Sequence, residues 1–550
     1  MPKRRDPSLA EAPVAAANIA TAFGDRPAAR WWQSRSIAIL FALLAIVPLL
    51  YPAIPPLTDL PGHIGRFRIL AEAGREPLAQ HYAVRWALIG NLGVDGLVLA
   101  LAPLIGLEPA ARVVVLLIPA LVVAAMLWLA REVHGRIPPT ALMALPLAYA
   151  APFQLGFVNF SLASGLAIAG VALWLRLSRR APVWVRVALF GPLACAVWLC
   201  HSFGWAMLGL FVFGAEWAQR RSCGKSRLRA AMAAAPMCLP MMMPVVLAAL
   251  WAGGDRLAGS TGMWFNAPLK LYWAMSVLRE RWQVYDIACI AVIWVLIAVA
   301  ARSRRLSLSP VLAVPATLGG LAFLALPAFY AGASCVDMRM LPMTLALAVL
   351  AIRAPSGEDR LAGRLAVLST GFFAMRLLTS TLAFALFARE QAAALRAVDV
   401  FREGAAVLVL VNEPAADNWG NPRLSHIAGL ATARRRVFTN EQWALPGQQL
   451  VHPRHPRAAP YDRDPSQLIY PATVRGGGDF DRAIASFDRE TFDYVWTIGF
   501  AKGRAHATDL ARVWSDDRSL AVTLGGKPVA AGRTSRRRRF SAPENLVLTT

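Results

Sequence analysis

An aspartate and a histidine four residues apart lie on a proline- and glycine-rich stretch just after the first long apolar segment. They are Asp59 and His63, within residues 55–66. A carboxylate at the mouth of a membrane can act as a general base toward a hydroxyl acceptor, or it can bind a divalent ion. The competing interpretation is that Asp59 caps a helix that begins near Pro61, because Asp before a first-turn proline is a common helix start. Capping would explain Asp59 but not His63 as well.

The elements that position this stretch are apolar segments. The chain has 550 residues, of which 57% are hydrophobic and 16% charged, with a mean hydropathy of +0.47. Soluble domains carry about 25% charged residues, so the charges here are too few to cover a soluble surface. The composition excludes a soluble enzyme, a disordered chain and a fibrous repeat, and it predicts a polytopic α-helical membrane protein.

The distribution of positive charge predicts an orientation. The formal net charge is +24, and most of the excess flanks apolar segments. Short basic loops between such segments are typical of the cytoplasmic side, so the charge indicates orientation and contact with lipid headgroups and does not indicate a nucleic-acid partner. Segment 140–152 is short and proline-rich, and we interpret it as a re-entrant or partial helix. The pattern then predicts about 11 transmembrane helices, within a range of 10–13.

This topology divides the chain into three regions. Residues 1–36 form a cytoplasmic tail, and residues 37–388 form the transmembrane domain with a first extracytoplasmic loop at 55–91. Residues 389–550 form a soluble extracytoplasmic α/β domain. Within the loop, residues 64–76 have the spacing of a helix lying in the membrane interface.

The pattern within residues 389–550 predicts particular strands and helices. Segments 407–411 and 494–498 are typical of buried strands, and 520–524 with 528–530 predict a hairpin. Segments 481–487 and 507–513 have helical spacing.

The sequence resembles the GT-C superfamily of bacterial integral-membrane glycosyltransferases that use polyprenyl-phosphate sugars. The resemblance is carried by the loop with an Asp and a nearby His after the first span, by the spans that follow it, and by an acidic-Arg pair that opens a late span. Those features are Asp59 and His63, residues 92–106, 108–112 and 129–135, the short span 140–152, and Asp337 with Arg339. The resemblance covers about the first 175 residues and a few later positions in the chain.

The resemblance implies an inverting transfer at the bacterial inner membrane, from a polyprenyl-phosphate sugar to a glycan, lipid or protein acceptor. Asp59 would be the general base that deprotonates the acceptor hydroxyl. His63 would orient the acceptor or a divalent metal such as Mg²⁺ or Mn²⁺. Membrane lipids would be further partners.

The leaving lipid phosphate requires cations, and a forked guanidinium suits it better than an amine. The candidates on the predicted outer side are Arg339, Lys270, Arg279 and Arg281, together with His201 at the tip of a helical hairpin. Segment 263–282, which contains three of these residues, could be an interfacial helix that covers a tunnel for the lipid, but its composition is more typical of an aromatic-belt loop. Arg339 could instead pair with Asp337 or lie at the end of a span.

One departure from the family pattern concerns the second carboxylate. Many relatives have an acidic residue near the outer end of the fourth or fifth span, where this chain has Gln154 and Asn159. An amide cannot act as a base, so a two-carboxylate metal site is in doubt, and Asp95 is the substitute that we considered. We interpret Glu216 and Arg376 as structural.

Histidines and cysteines outside this stretch predict no metal site. His426, His452 and His455 show no metal-ligand spacing, and the last two predict an exposed loop. The six cysteines show neither zinc nor disulfide spacing.

Two other functions fit the same composition. One is a transporter or flippase of a lipid-linked glycan, which would favour paired broken helices in two halves of the chain, and we find no convincing repeat. The other is a non-catalytic GT-C-like membrane protein, which the missing second carboxylate keeps open.

Overall fold

The computed structural model describes residues 30–251, 258–303, 306–353, 359–413, 419–470, 479–500 and 509–524. Most of the predicted N-terminal tail and the predicted strand 528–530 lie outside these residues.

Helices dominate the described chain, as its apolar segments predict. The helices before residue 223 are α1 Arg35–Leu44, α2 Leu60–Ala71, α3 Leu78–His81, α4 Gly93–Ile105, α5 Leu107–His134, α6 Ala151–Gln154, α7 Val158–Arg180, α8 Val183–Cys200 and α9 Ser202–Ser222. Those after it are α10 Arg227–Ala234, α11 Met243–Leu250, α12 Ala267–Met275, α13 Gln283–Arg302, α14 Pro310–Ala325, α15 Leu341–Leu350, α16 Asp359–Leu395, α17 Gly429–Arg435 and α18 Phe480–Ser486.

Six helical stretches among the described residues are long and apolar enough to cross a membrane. They are Leu107–His134, Val158–Arg180, Val183–Cys200, Arg227–Leu250, Gln283–Arg302 and Arg360–Val400. Three shorter apolar stretches are Arg35–Leu50, Gly93–Ile105 and Pro310–Ala325. The chain is therefore a multi-pass membrane protein, and the number of about 11 spans stays a prediction.

The proline-rich segment 140–152 forms a tight and buried helix. Its main part is a 3-10 helix, Pro139–Tyr149, in which ten of the eleven residues are buried. Proline lacks a backbone donor and disrupts a regular α-helix, which accounts for the tighter winding. The chain before this segment pairs with Arg176 and Arg179 through Glu132, whereas the chain after it meets Thr58 through Gln154. The segment therefore connects the two predicted sides of the membrane, and the structure does not support a re-entrant helix.

A six-stranded sheet lies in the C-terminal region. All the strands of the described chain are β1 Tyr82–Val84, β2 Ser307–Leu308, β3 Ile352–Arg353, β4 Ala406–Asn412, β5 Phe438–Thr439, β6 Val451–Pro453, β7 Leu468–Ile469, β8 Tyr494–Ile498, β9 Leu510–Ser515 and β10 Ser519–Leu524. The sheet has the order β5-β4-β8-β10-β9, and β7 also pairs with β4. The central strand β4 is parallel to β5, β7 and β8. Strand β10 is antiparallel to both of its neighbours, β8 and β9.

The strand predictions agree with the structure better than the helix predictions do. Segments 407–411 and 494–498 lie in β4 and β8, and 481–487 largely coincides with α18. The helix predicted at 507–513 is wrong, because residues from Leu510 onward form β9 and pair with β10. Buried and exposed side chains do not alternate regularly along this edge strand, so the sequence does not distinguish the two-residue period of a strand from the 3.6-residue period of a helix.

The first loop, residues 55–91, packs against the C-terminal region. Strand β1 pairs antiparallel with β6, and α2 packs on α17. Ten of the twelve residues of α2 are buried, so protein surrounds this helix and it does not expose one polar and one apolar face; its position in the membrane interface stays a prediction. Glycines bring the two backbones together: a Cβ on Gly429 would lie 2.2 Å from the carbonyl oxygen of Pro61. The loop and the C-terminal region therefore share a core, in which Leu70 and Tyr82 join Leu408.

Candidate functional site

Asp59 immediately precedes α2, and its carboxylate does not cap that helix. The side chain makes no capping hydrogen bond and is 17% exposed. The backbone is fixed instead, because the Asp59 N–H donates to the Leu155 carbonyl at 3.0 Å. Gly156 has a φ of +89°, and a Cβ there would lie 2.6 Å from the Asp59 nitrogen. A glycine at 156 thus allows the turn before α7 to hold Asp59 while its carboxylate stays accessible.

A histidine from the C-terminal region faces Asp59. Nε2 of His426 lies 3.8 Å from Oδ1 of Asp59 and 3.5 Å from Oδ1 of Asp464. Nδ1 of the same ring lies 3.1 Å from Oε2 of Glu441. The imidazole is 8% exposed, so three carboxylates surround one buried ring.

Burial and these charges set the protonation of the cluster. Burial raises the pKa of Asp59 to about 7; the charges of His426 and Arg339 oppose this shift, and those of Asp464 and Glu441 add to it. Burial alone would lower the pKa of His426, but Asp464, the hydrogen bond with Glu441, and Asp59 raise it to about 10. At neutral pH the ring is therefore an imidazolium, and Asp59 is close to its midpoint.

His63 lies one helical turn after Asp59 and packs beside the same cluster. Its ring centroid is 4.9 Å from that of Trp443, which is in turn 4.5 Å from the ring of His426. Burial lowers the pKa of His63, and the charges of Arg66 and His426 lower it further, so the ring is neutral. Its Nδ1 atom is buried and has no hydrogen-bond partner among the described residues.

Arg339 and His201 present two donors to the same space. Nδ1 of His201 accepts from the Phe203 N–H at 3.0 Å, so the proton of the neutral ring is on Nε2. That Nε2 lies 3.3 Å from Nη1 of Arg339. In that tautomer neither group accepts from the other, and an anionic oxygen within reach of both nitrogens would accept from each. Nη2 of Arg339 donates to the Ser334 carbonyl at 3.2 Å, which leaves Nη1 for such an oxygen.

The position of Arg339 links this pair of donors to Asp59. The guanidinium lies 4.5 Å from the ring centroid of Phe157, the residue after the glycine that contacts Asp59. Its charge contributes to the pKa of Asp59, as stated above. Asp59, His63, His201 and Arg339 therefore belong to one region of the structure.

The other three predicted phosphate ligands are engaged elsewhere. The Lys270 ammonium donates to the carbonyls of Phe323 and Leu326 and to Asp337, each at 2.7 Å, which uses all three of its hydrogens. Arg279 donates to the Trp419 and Gly420 carbonyls and to the Tyr272 hydroxyl. Arg281 pairs with Glu390 at 3.2 Å in an exposed position. We therefore do not retain these three residues as phosphate ligands.

Asp337 and Lys270 have a structural role that supports Arg339. Their ion pair has side-chain exposures of 0% and 7%, and it ties α12 to the turn Asp337–Met340. Arg339 lies on that turn. The pairing that we considered for Arg339 with Asp337 is thus made by Lys270 instead.

Asp95 does not supply the second carboxylate. It forms a buried ion pair with Arg66 at 2.8 Å and accepts from Asn159 at 2.9 Å. Gln154 is also buried, donating to Glu280 and accepting from Arg423. The carboxylates that do approach Asp59 are Asp464 and Glu441, from the C-terminal region.

Glu216 and Arg376 both have buried partners within the protein, which is consistent with the structural interpretation. Glu216 accepts from the Trp174 indole at 2.7 Å and from Arg186 at 2.9 Å. Arg376 forms a buried ion pair with Asp286 at 2.7 Å.

The donor set around Asp59 does not fit a divalent metal. In the described ranges, no group of three His, Cys, Asp or Glu side chains is arranged to hold a metal ion. The cationic position beside Asp59 is filled by the ring of His426, both of whose nitrogens face carboxylates. The predicted pair Asp59 and His63 therefore gains no third ligand, and we derive no step through a metal.

Sequence spacing could not have revealed His426. Its partners follow β5 and precede β7, and only the sheet and α17 bring them to Asp59. The prediction of an exposed loop at His455 is wrong, because the side chain is half-buried and its Nε2 lies 2.7 Å from Nδ1 of His81.

Two solved structures are similar to this chain over most of its length. The crystal structure of ArnT from Cupriavidus metallidurans in the apo state is 15% identical, covering 92% of this chain and 98% of its own, with a TM-score of 0.41. The structure of ArnT from Cupriavidus metallidurans bound to undecaprenyl phosphate is 14% identical, covering 88% and 96%, with a TM-score of 0.43.

ArnT is a GT-C glycosyltransferase, the superfamily that the sequence resembles. No protein-family model and no curated protein matches the chain. The identities are low and both TM-scores are below 0.5, so these two structures assign no function to this chain.

Proposed function

We propose that the protein is a glycosyltransferase that moves a sugar from a polyprenyl-phosphate donor to a hydroxyl of an extracytoplasmic acceptor. The observation that carries the proposal is the carboxylate of Asp59, which caps no helix and is partly exposed in the same region as the two donors of Arg339 and His201. A base and an anion site in one region are the parts that transfer from a phosphate leaving group requires.

Arg339 and His201 bind the phosphate of the donor lipid in this proposal. A guanidinium and an imidazole N–H whose nitrogens are 3.3 Å apart provide hydrogen bonds that strengthen as negative charge develops on the leaving oxygen. The Phe157 ring under the guanidinium holds it in place. This arrangement stabilises the leaving polyprenyl phosphate without requiring a general acid.

Asp59 accepts the proton of the acceptor hydroxyl. The oxygen of that hydroxyl forms a bond to the anomeric carbon while the bond from this carbon to the phosphate oxygen breaks, with inversion, and the phosphate leaves with the electron pair. A pKa of about 7 suits a base that works near neutral pH. His63, one helical turn after Asp59 and packed beside the same cluster, is the residue that orients the acceptor hydroxyl.

The proposal places the reaction at the outer face of the bacterial inner membrane. Residues 389–550 are then extracytoplasmic, and so is the loop 55–91, whose strand β1 pairs with β6. The sugar and the acceptor are set by the shape of the site and are left open to the assay.

Consumption of the lipid-linked sugar tests this function against transport. Purified protein in liposomes would be supplied with undecaprenyl-phosphate sugars carrying a radiolabelled hexose or pentose, together with an envelope extract as acceptor. We expect release of undecaprenyl phosphate and label in the acceptor. Movement of the intact lipid across the bilayer without its consumption would overturn the proposal in favour of a flippase.

A further inference from the structure

We propose that His426 is a positioning residue for this reaction, which supplies from the C-terminal region the positive charge that keeps Asp59 available as a base. The inference rests on the proposed function and deepens it, because it makes the C-terminal region part of the reaction site. It also explains how a positive charge is placed beside Asp59 although the donor set there does not fit a metal ion.

The geometry of the ring specifies its charge state. Both nitrogens of His426 face carboxylate oxygens, with Glu441 at Nδ1 and with Asp464 and Asp59 at Nε2. Only the imidazolium has a donor on each nitrogen. A buried cation is stable when paired carboxylates surround it, and three are present here.

The separation between His426 and Asp59 matters for the chemistry. Hydrogen bonds from nitrogen to oxygen span about 2.7–3.2 Å, so the 3.8 Å gap leaves Oδ1 of Asp59 outside a hydrogen bond with the ring. Charge attraction still acts over this distance in a buried site. The ring can thus favour the carboxylate form of Asp59 without occupying the oxygen that must accept a proton.

Every charged group that faces Asp59 or His426 enters this balance. For Asp59 the cations are His426 and Arg339, the anions are Asp464 and Glu441, and the thiol of Cys335 is also near. For His426 the facing groups are Asp464, Glu441, Asp59, Glu413 and His63. The two cations lower the pKa of Asp59 and the two anions raise it. Removing a cation should therefore favour the protonated carboxyl, and removing an anion should favour the carboxylate.

Close packing of the backbone fixes the position of His426 relative to Asp59. Gly429, three residues after His426, packs on Pro61, two residues after Asp59, with no room for a side chain. A Cβ on Gly62 would lie 2.8 Å from Oε2 of Glu441. Contacts between α2 and the residues around α17 thus fix the gap between the base and the cation.

Labelling of Asp59 with dicyclohexylcarbodiimide tests the inference without any substrate. The reagent modifies protonated carboxyl groups in apolar surroundings, and mass spectrometry of the Asp59 peptide gives the pH of half-maximal labelling. We expect a value near 7 in the intact protein. His426→Gln should raise it by about one pH unit or more, because a facing cation lowers a carboxyl pKa by about 1–3 units. Asp464→Asn should lower it.

A matched control and a second variant keep the result interpretable. His134→Gln alters a half-buried histidine that bonds the Leu350 carbonyl and is not among the charged groups that act on Asp59, so it should leave the labelling curve unchanged. An unchanged curve in His426→Gln would overturn the inference. If that variant fails to fold, an unchanged or raised midpoint in Asp464→Asn would overturn it instead.

The outcomes also separate this inference from the proposed function and from a metal site. Loss of sugar transfer in Asp59→Asn together with an unmoved labelling curve in His426→Gln would leave the function standing and overturn only the role of His426. Full sugar transfer in Asp59→Asn would overturn the function. A midpoint that rises with EDTA and falls again with Mg²⁺ would assign the cation to a metal and overturn the inference.

Discussion

Nε2 of His426 lies 3.8 Å from Oδ1 of Asp59, although the two residues come from opposite ends of the chain. The contact exists because α2 packs on α17 through glycines and because β1 extends the loop 55–91 onto β6. The first loop and the C-terminal region therefore form the candidate site together.

The pH dependence of sugar transfer should follow the protonation of Asp59. Its pKa is raised to about 7, so below that pH most of the carboxyl is protonated and cannot accept a proton. We expect kcat/KM to rise as pH increases through about 7 and then to level off. A profile that is flat across neutral pH, or one that falls with increasing pH, would contradict Asp59 as the base.

Arg339→Met should weaken the binding of undecaprenyl phosphate. A hydrogen bond to a charged group contributes about 1.5–3 kcal/mol, which corresponds to a loss of affinity of at least about tenfold. Arg339→Lys should recover only part of it, because an ammonium lacks the fork. Native mass spectrometry with undecaprenyl phosphate measures the affinity. Arg176→Met, which affects an exposed pair with Glu132, is the control, and equal affinity in Arg339→Met and this control would remove Arg339 from the site.

Lys270→Met should act on stability. It leaves the buried carboxylate of Asp337 without its cation, and breaking such a pair costs about 3–5 kcal/mol. The melting temperature in detergent should fall, and adding Asp337→Asn should restore part of it. If Lys270 instead bound phosphate, its replacement would lower the affinity for undecaprenyl phosphate while leaving the melting temperature unchanged.

Gly429→Ala should loosen the contact between α2 and α17. The new Cβ would meet the Pro61 carbonyl at 2.2 Å, so the backbone must shift, at a cost of about 1–3 kcal/mol. We expect a lower melting temperature and reduced sugar transfer. Gly96→Ala is the matched control, because open space surrounds a Cβ there. Equal melting temperatures for the two variants would contradict the close packing of these helices.

The sequence was most informative where a pattern is local. Asp59 and His63 could be singled out because they follow a span on a proline-rich turn, and β4 and β8 could be found from their runs of apolar and β-branched residues. The edge strand β9 cannot be told from a helix by its sequence, because buried and exposed side chains do not alternate regularly along it.

The partners of Asp59 could not have been predicted, because tertiary packing alone brings them together. His426, Glu441 and Asp464 have no spacing that marks a site, and each comes from a separate connection of the sheet region. The same limit explains Lys270 and Arg279. Their positions suited a phosphate ligand, yet their donors are used by carbonyls and a carboxylate that only the fold places beside them.

Replacement of Asp59 by Asn tests the central claim most directly. The variant keeps the size of the side chain and removes its ability to accept a proton, and Asp399→Asn at an exposed position is the matched control. We expect Asp59→Asn to abolish release of undecaprenyl phosphate from a radiolabelled undecaprenyl-phosphate sugar while it elutes and melts like the unmodified protein. Sugar transfer at the rate of the Asp399→Asn control would contradict the account.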